Sequence, residues 1–126
     1  MTTIPQKLVY LVDDSPLYLD LLKFSLEELN GITVKGFASG EACLEELHHQ
    51  PHTVVLDYHL DGRNPNAQKG SGVLKSIKAK NPATKVIMMT GQKNAQTAIR
   101  LIQQGADFFL YKSPDSMELL GKLLTH

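Results

Sequence analysis

At 126 residues, 42% of them hydrophobic, the chain predicts one ordinary domain over 1–126, large enough to bury a core without covalent staples. Its 13 basic residues cancel its 13 acidic ones, which excludes the net positive field that holds nucleic acid or an anionic membrane unspecifically. The lone Cys43 excludes an internal disulfide, the start MTTIPQK lacks the apolar run of a signal peptide, and no stretch nears the roughly 18 apolar residues of a membrane span, so a cytoplasmic protein is expected.

The first run, LVYLVDD, is apolar and β-branched-rich and predicts a strand that ends in the adjacent acids Asp13 and Asp14. Ser15 then reads as a helix N-cap with Pro16 at the first helical position, where the missing N–H would have had no partner anyway. Tyr18, Leu21, Leu22, Leu26 and Leu29 follow at helical spacing and are expected on one buried face, with Asn30-Gly31 closing the helix. ITVKGF predicts the second strand, and Ser39 opens a second helix that buries Cys43, Leu44 and Leu47. His48, His49 and His52 crowd the turn that comes next; with no thiolate or carboxylate expected at metal spacing, they are read as surface residues.

TVVLD predicts the third strand, ending in Asp57. DGRNPNAQKG, residues 61–70, is a polar Gly/Asn/Pro stretch that predicts a long loop before a helix carrying Val73, Leu74 and Ile77. KVIMMT predicts the fourth strand, ending in Thr90. Asn94 begins a helix with Ala95, Ala98, Ile99 and Ile102 as its core stripe, stopped by Gly105, and Leu101 looks surplus to that stripe. DFFLYK predicts the fifth strand, ending in Lys112, and Pro114-Asp115 starts a last helix with Leu119, Leu120, Leu123 and Leu124.

Five alternations of strand and helix predict a doubly wound α/β fold, a five-stranded parallel sheet covered on both faces. In such sheets ligands bind beyond the carboxyl ends of the strands, where strand order reverses. With the order 2-1-3-4-5, Asp13, Asp14 and Asp57 converge in one crevice beside Thr90 and Lys112. Two carboxylates about 5 Å apart repel by roughly 3 kcal/mol at an effective dielectric near 20, so a counter-charge is needed. Lys112 supplies one, and carboxylate and carbonyl oxygens would suit hard Mg²⁺ or Mn²⁺. Singly, each residue has a plainer reading: the acid pair as a helix cap, Asp57 as a turn residue, Thr90 as a strand residue, Lys112 as a solvated charge. Their joint occurrence at four strand ends favours a site.

On the Asp13-Asp14 pair of LVDDSP, Asp57 of VVLDYHLDG, Thr90 of IMMTG and Lys112 of GADFFLYKSP, the whole chain resembles a response-regulator receiver domain of two-component signalling. The resemblance implies a CheY-like fold in which Asp57 takes a phosphoryl group from a phosphohistidine. It implies Mg²⁺ on Asp14, Asp57 and the main-chain carbonyl of His59, with Asp13 acting through a bound water. It implies that Thr90 hydrogen-bonds the phosphoryl group and that Phe109 turns inward behind it as the switch; the plainer alternative for Phe109 is a permanent core aromatic. His59 and Gln92, each two residues past a site residue, are expected to tune dephosphorylation. The implied partners are a sensor histidine kinase or histidine phosphotransfer protein, and an effector or dimer partner on the face of helix four, strand five and helix five. Leu19 and Phe24 on helix one form a further candidate docking patch. The chain is expected to catalyse only its own phosphorylation and dephosphorylation, with no direct contact to nucleic acid or membrane.

Two departures from the family pattern stand out. Ser113 separates Lys112 from Pro114, where the family usually joins lysine to proline through a cis peptide, so the cis bond lies at Ser113-Pro114 or is missing. The glycine expected about eight residues after the phosphoacceptor is replaced by Gly70 or Gly72, 13 or 15 residues on, which makes 61–70 a candidate insertion, either a tolerated surface loop or a lid or partner contact. Two other functions compete. A pseudo-receiver would bind partners without taking phosphate, and its usual sign is a missing acid, threonine or lysine. A Mg²⁺-dependent phosphohydrolase of the haloacid-dehalogenase type would want an acid at position 59, which is histidine here, and a cap domain for which there is no room.

Overall fold

Strand alternation sets the architecture. In the computed structural model, which describes residues 6–60, 69–91 and 93–125, β1 (Lys7–Val12), β2 (Ile32–Phe37), β3 (Thr53–Asp57), β4 (Lys85–Thr90) and β5 (Phe108–Tyr111) pair in parallel in the order β2-β1-β3-β4-β5. The register runs Val9 opposite Val34 and Thr53, Asp57 opposite Met89, and Thr90 opposite Tyr111. Successive side chains point to opposite faces, so each central strand feeds two cores. Tyr10, Val12, Val54, Leu56, Val86 and Met88 face one way, against Cys43, Val73, Leu74, Ile77 and Leu101. Val9, Leu11, Val55, Ile87 and Met89 face the other way, against Leu22, Leu26, Leu120 and Leu124. Helices α1 (Pro16–Glu27) and α5 (Ser116–Thr125) thus cover one face, and α2 (Gly40–Glu45), α3 (Gly70–Lys80) and α4 (Ala95–Gln103) the other. The predicted doubly wound sheet and its strand order are the observed ones.

Three of the expected caps form. Ser15 Oγ accepts from the Tyr18 amide, Ser39 Oγ from that of Ala42, and Asn94 Oδ1 from those of Gln96 and Thr97, each satisfying a first-turn donor that the helix leaves open. At the far end of α4, Gly105 takes φ +114, a backbone conformation that an L side chain resists. Leu47 lies in a 3₁₀ turn, Leu47–His49, beyond the end of α2. α3 begins at Gly70, inside the stretch predicted as loop; residues 61–68 of that stretch lie outside the described residues. No helix among the described residues is long and apolar enough to cross a membrane.

Two helices are turned relative to their predicted faces. On α1 the spacing predicts Leu21 inside and Leu19 outside, but Leu21 is 49% exposed while Leu19 packs on the core beside Leu22 and Leu26. On α4 the stripe Ala95, Ala98, Ile99, Ile102 predicts the buried side, yet Ile99 and Ile102 are exposed and Leu101 is completely buried. The helix is rotated by about one residue, roughly 100°. Its end explains the rotation: the Ala106 amide donates to the Leu101 carbonyl, and Gly105 turns the chain straight into β5 at the sheet edge, which puts Leu101 over the sheet. Leu119 of α5, also predicted in the core stripe, is exposed.

Candidate functional site

The carboxyl ends of β1, β3, β4 and β5 bring the polar residues together. β1 stops at Val12, and the Asp13 amide donates to Phe37 O, which carries the chain over the sheet edge with the Asp13 side chain almost wholly buried. Asp13 Oδ1 accepts from the Ser15 amide at 2.9 Å, so one acid both orients the start of α1 and faces the crevice. Asp57 is the last residue of β3 and is 5% exposed; its Oδ1 accepts from the His59 amide at 3.3 Å. Lys112 follows β5, anchored by its amide on Thr90 O, and its Nζ lies 2.9 Å from Asp13 Oδ2 and 3.3 Å from Asp57 Oδ1. No cis peptide occurs among the described residues, and Lys112 reaches both carboxylates with Ser113 in place.

Three carboxylates meet one ammonium here. Carboxylate oxygens of Asp13, Asp14 and Asp57 lie within 4.8 Å of one another, in a cleft of about 400 Å³ that Ser15, His59, Gly91 and Lys112 also line. Burial, then the charge of Asp13, pushes the Asp57 carboxyl up from 3.8 to about 6, against the opposing pull of Lys112 and the His59 amide. Burial draws the Lys112 ammonium down, but its hydrogen bond to Asp13 and the charges of both acids outweigh that, and its net shift is upward. An excess of buried negative charge among oxygen donors fits a hard divalent cation such as Mg²⁺.

Thr90 is buried at the end of β4, directly across from Tyr111. Phe109 stands two residues back on the same face, half-buried against the core, with its ring edge-on to Tyr111 at 5.2 Å. His59 is exposed at the cleft rim, its ring against Tyr58. Gln92 lies outside the described residues.

Two features escape the sequence patterns. The Tyr18 ring, expected only as part of a core stripe, carries the Lys112 ammonium 4.3 Å from its centroid, a cation–π contact that helps aim the lysine. Gly70 packs beneath the end of β3: a Cβ there would sit 2.6 Å from Asp57 O and 2.8 Å from Tyr58 Cα. No local signal reveals the ring contact.

A parallel 2-1-3-4-5 sheet with an acidic crevice at its carboxyl edge defines the class of CheY-like receivers. The chain belongs to the response regulator receiver domain family, whose model matches residues 9–124. It is 33% identical over 121 residues to the transcriptional regulatory protein ZraR of Escherichia coli, covering 94% of this chain and 26% of that protein. It is 30% identical over 118 residues to a cyclic di-GMP phosphodiesterase of Thermotoga maritima, covering 94% of this chain and 30% of the relative. The BeF3-activated receiver domain of DrrB, a Thermotoga maritima protein, superposes with a TM-score of 0.81 at 28% identity over 95% of each chain. The chain thus spans less than a third of the length of these two curated relatives.

Proposed function

We propose that Asp57 is the phosphoacceptor of this receiver domain. A carboxylate oxygen of Asp57 attacks the phosphorus of a phosphohistidine on a sensor kinase or phosphotransfer protein; the P–N bond breaks with its electron pair left on the ring nitrogen, the imidazole departs neutral with the proton its other nitrogen already carried, and an aspartyl phosphate forms. Phosphoryl transfer asks for positioning and charge neutralisation rather than a strong base. Lys112, already between Asp13 and Asp57, is placed to meet the phosphoryl oxygens, and Thr90 at the neighbouring strand end offers a hydroxyl to one of them. Mg²⁺ held by Asp13, Asp14, Asp57 and the His59 carbonyl would supply the remaining neutralisation. The observation that carries the reading is the ammonium of Lys112 bridging two buried carboxylates in a cleft open to solvent.

Phe109, half-buried beside Tyr111 on the Thr90 side of the sheet, is the switch in this reading, and His59 at the rim tunes the lifetime of the phosphate, as Gln92 does. The chain acts on no external substrate beyond its own phosphorylation and dephosphorylation. It passes the signal through the α4, β5 and α5 face, where Ile99, Ile102, Phe108 and Leu119 are exposed. It meets its donor through α1, where Leu17, Leu21 and Phe24 form an exposed stripe at helical spacing. Leu101 is completely buried and does not serve on the first surface, and Leu19 is partly buried against the core beside the second.

Intact-mass spectrometry after mixing with acetyl phosphate, with and without Mg²⁺, tests the reading. One phosphate adduct that requires both the metal and Asp57 is expected. No adduct in Mg²⁺, or one that survives in Asp57→Asn, would overturn the assignment and favour a pseudo-receiver.

A further inference from the structure

The turn between α2 and β3 carries three ligand-class side chains outside the aspartate crevice. Ligand atoms of Glu46, His48 and His49 all lie within 4.8 Å of one another. The expectation that no carboxylate stands at metal spacing from these histidines is therefore corrected, and the reason is local: in a 3₁₀ turn residues three apart eclipse, which stacks His49 over Glu46. His49 Nε2 lies 3.1 Å from Glu46 Oε2, and the His48 ring is 4.2 Å from that of His49. That N to O separation is close to the roughly 3.3 Å edge of a tetrahedron with bonds of about 2.0 Å.

We propose that Glu46, His48 and His49 form a binding site for a borderline divalent transition metal of the zinc class, at the amino-terminal end of β3 and so on the pole opposite Asp57. The backbone beneath the three ligands is fixed at two points. Tyr10 Oη donates to Glu46 O at 2.7 Å, Asn81 Nδ2 donates to Leu47 O at 3.0 Å, and Leu47 itself is buried. His48 Nδ1 lies 3.1 Å from Glu45 O; a carbonyl only accepts, so Nδ1 carries the proton and the lone pair falls on Nε2. A histidine pinned this way by a backbone carbonyl is the usual outer-shell arrangement of metal sites. Lys35 holds Glu46 Oε1 at 3.2 Å and leaves Oε2 turned toward His49. Two imidazoles and one carboxylate select zinc-class ions over Mg²⁺, whereas the aspartate crevice offers only oxygens, so the two poles take different ions. Both histidines are exposed, and three protein ligands leave a fourth position open to water or to a ligand from another molecule.

The test is calorimetric titration of Zn²⁺ into the chain with Mg²⁺ in millimolar excess to occupy the aspartate crevice, accompanied by backbone amide spectra. One equivalent is expected to bind, with amide shifts centred on residues 45–50. His48→Ala, His49→Ala and Glu46→Gln should each weaken binding by about tenfold or more, the scale on which even outer-shell partners act. His52→Ala, outside the cluster, should leave it unchanged. Amide spectra of the variants without metal report whether each remains folded, which their exposed positions favour. Absence of Zn²⁺ binding, binding indifferent to all three substitutions, an equal loss in His52→Ala, or shifts centred on Asp13 and Asp57 would each overturn the proposal.

Discussion

Asp57 ties the stability of the protein to pH in an unusual direction for an acid. An unfolded chain releases this proton near 3.8, while the folded chain holds it to about 6, so between those values the folded state binds more protons and stability falls as pH rises. Above about 6 the whole penalty is present, on the order of 3 kcal/mol for a carboxyl this buried. Asp57→Asn should therefore raise the melting midpoint of the metal-free protein by several degrees near neutral pH and change little below about pH 4; a midpoint shift independent of pH would contradict the linkage. Lys112→Met leaves Asp13 and Asp57 buried without their cation and should cost on the order of 3 kcal/mol in urea unfolding without metal. Mg²⁺ should recover part of that loss, and equal losses with and without it would mean that the acids do not hold the ion. The convergence of Asp13, Asp14, Asp57 and Lys112 was legible because each sits at the end of a recognisable strand. Tyr18 and Glu46 were not, since one acts through a contact between the two ends of the chain and the other through a 3₁₀ turn that no periodicity announces.

At the scale of elements, strands were easier to read than helix faces. Apolar runs bounded by turn residues mark each strand, and period-two alternation leaves no freedom about which side chains face which core. A helical stripe is less decisive, because the flank that meets the sheet depends on where the helix crosses it and how its last turn ends. Leu101 and Ile99 of α4 measure this directly. Leu101→Ala should cost about 2–5 kcal/mol as a core truncation, whereas Ile99→Ala should stay within about 0.5 kcal/mol; the reverse order in denaturant unfolding would restore the stripe read from spacing. Gly70 tests how α3 is fitted beneath the site. Its missing Cβ faces backbone of Asp57 and Tyr58, which cannot swing away as a side chain can, so Gly70→Ala should destabilise by about 1–3 kcal/mol and slow labelling of Asp57 by acetyl phosphate.

For the whole molecule, the exposed residues of α1 separate two ways of loading Asp57. Phe24→Glu changes a side chain that is 70% exposed, so it should leave acetyl phosphate labelling intact and slow transfer from a phosphohistidine protein by about tenfold, the effect of losing one apolar anchor at an interface. Equal slowing with both donors would place Phe24 in the fold rather than in the docking surface. The same helix carries Tyr18, whose ring receives the Lys112 ammonium, on its inner side. In the proposed reading, one rigid rod therefore has the aspartate crevice against one flank and the donor against the other. Affinities joined through a shared body must be mutual: by whatever factor a phosphoryl group on Asp57 loosens the donor, a bound donor loosens the phosphoryl group by the same factor. A receiver that lets go of its donor once loaded is thereby one whose donor, when it returns, favours taking the phosphate back.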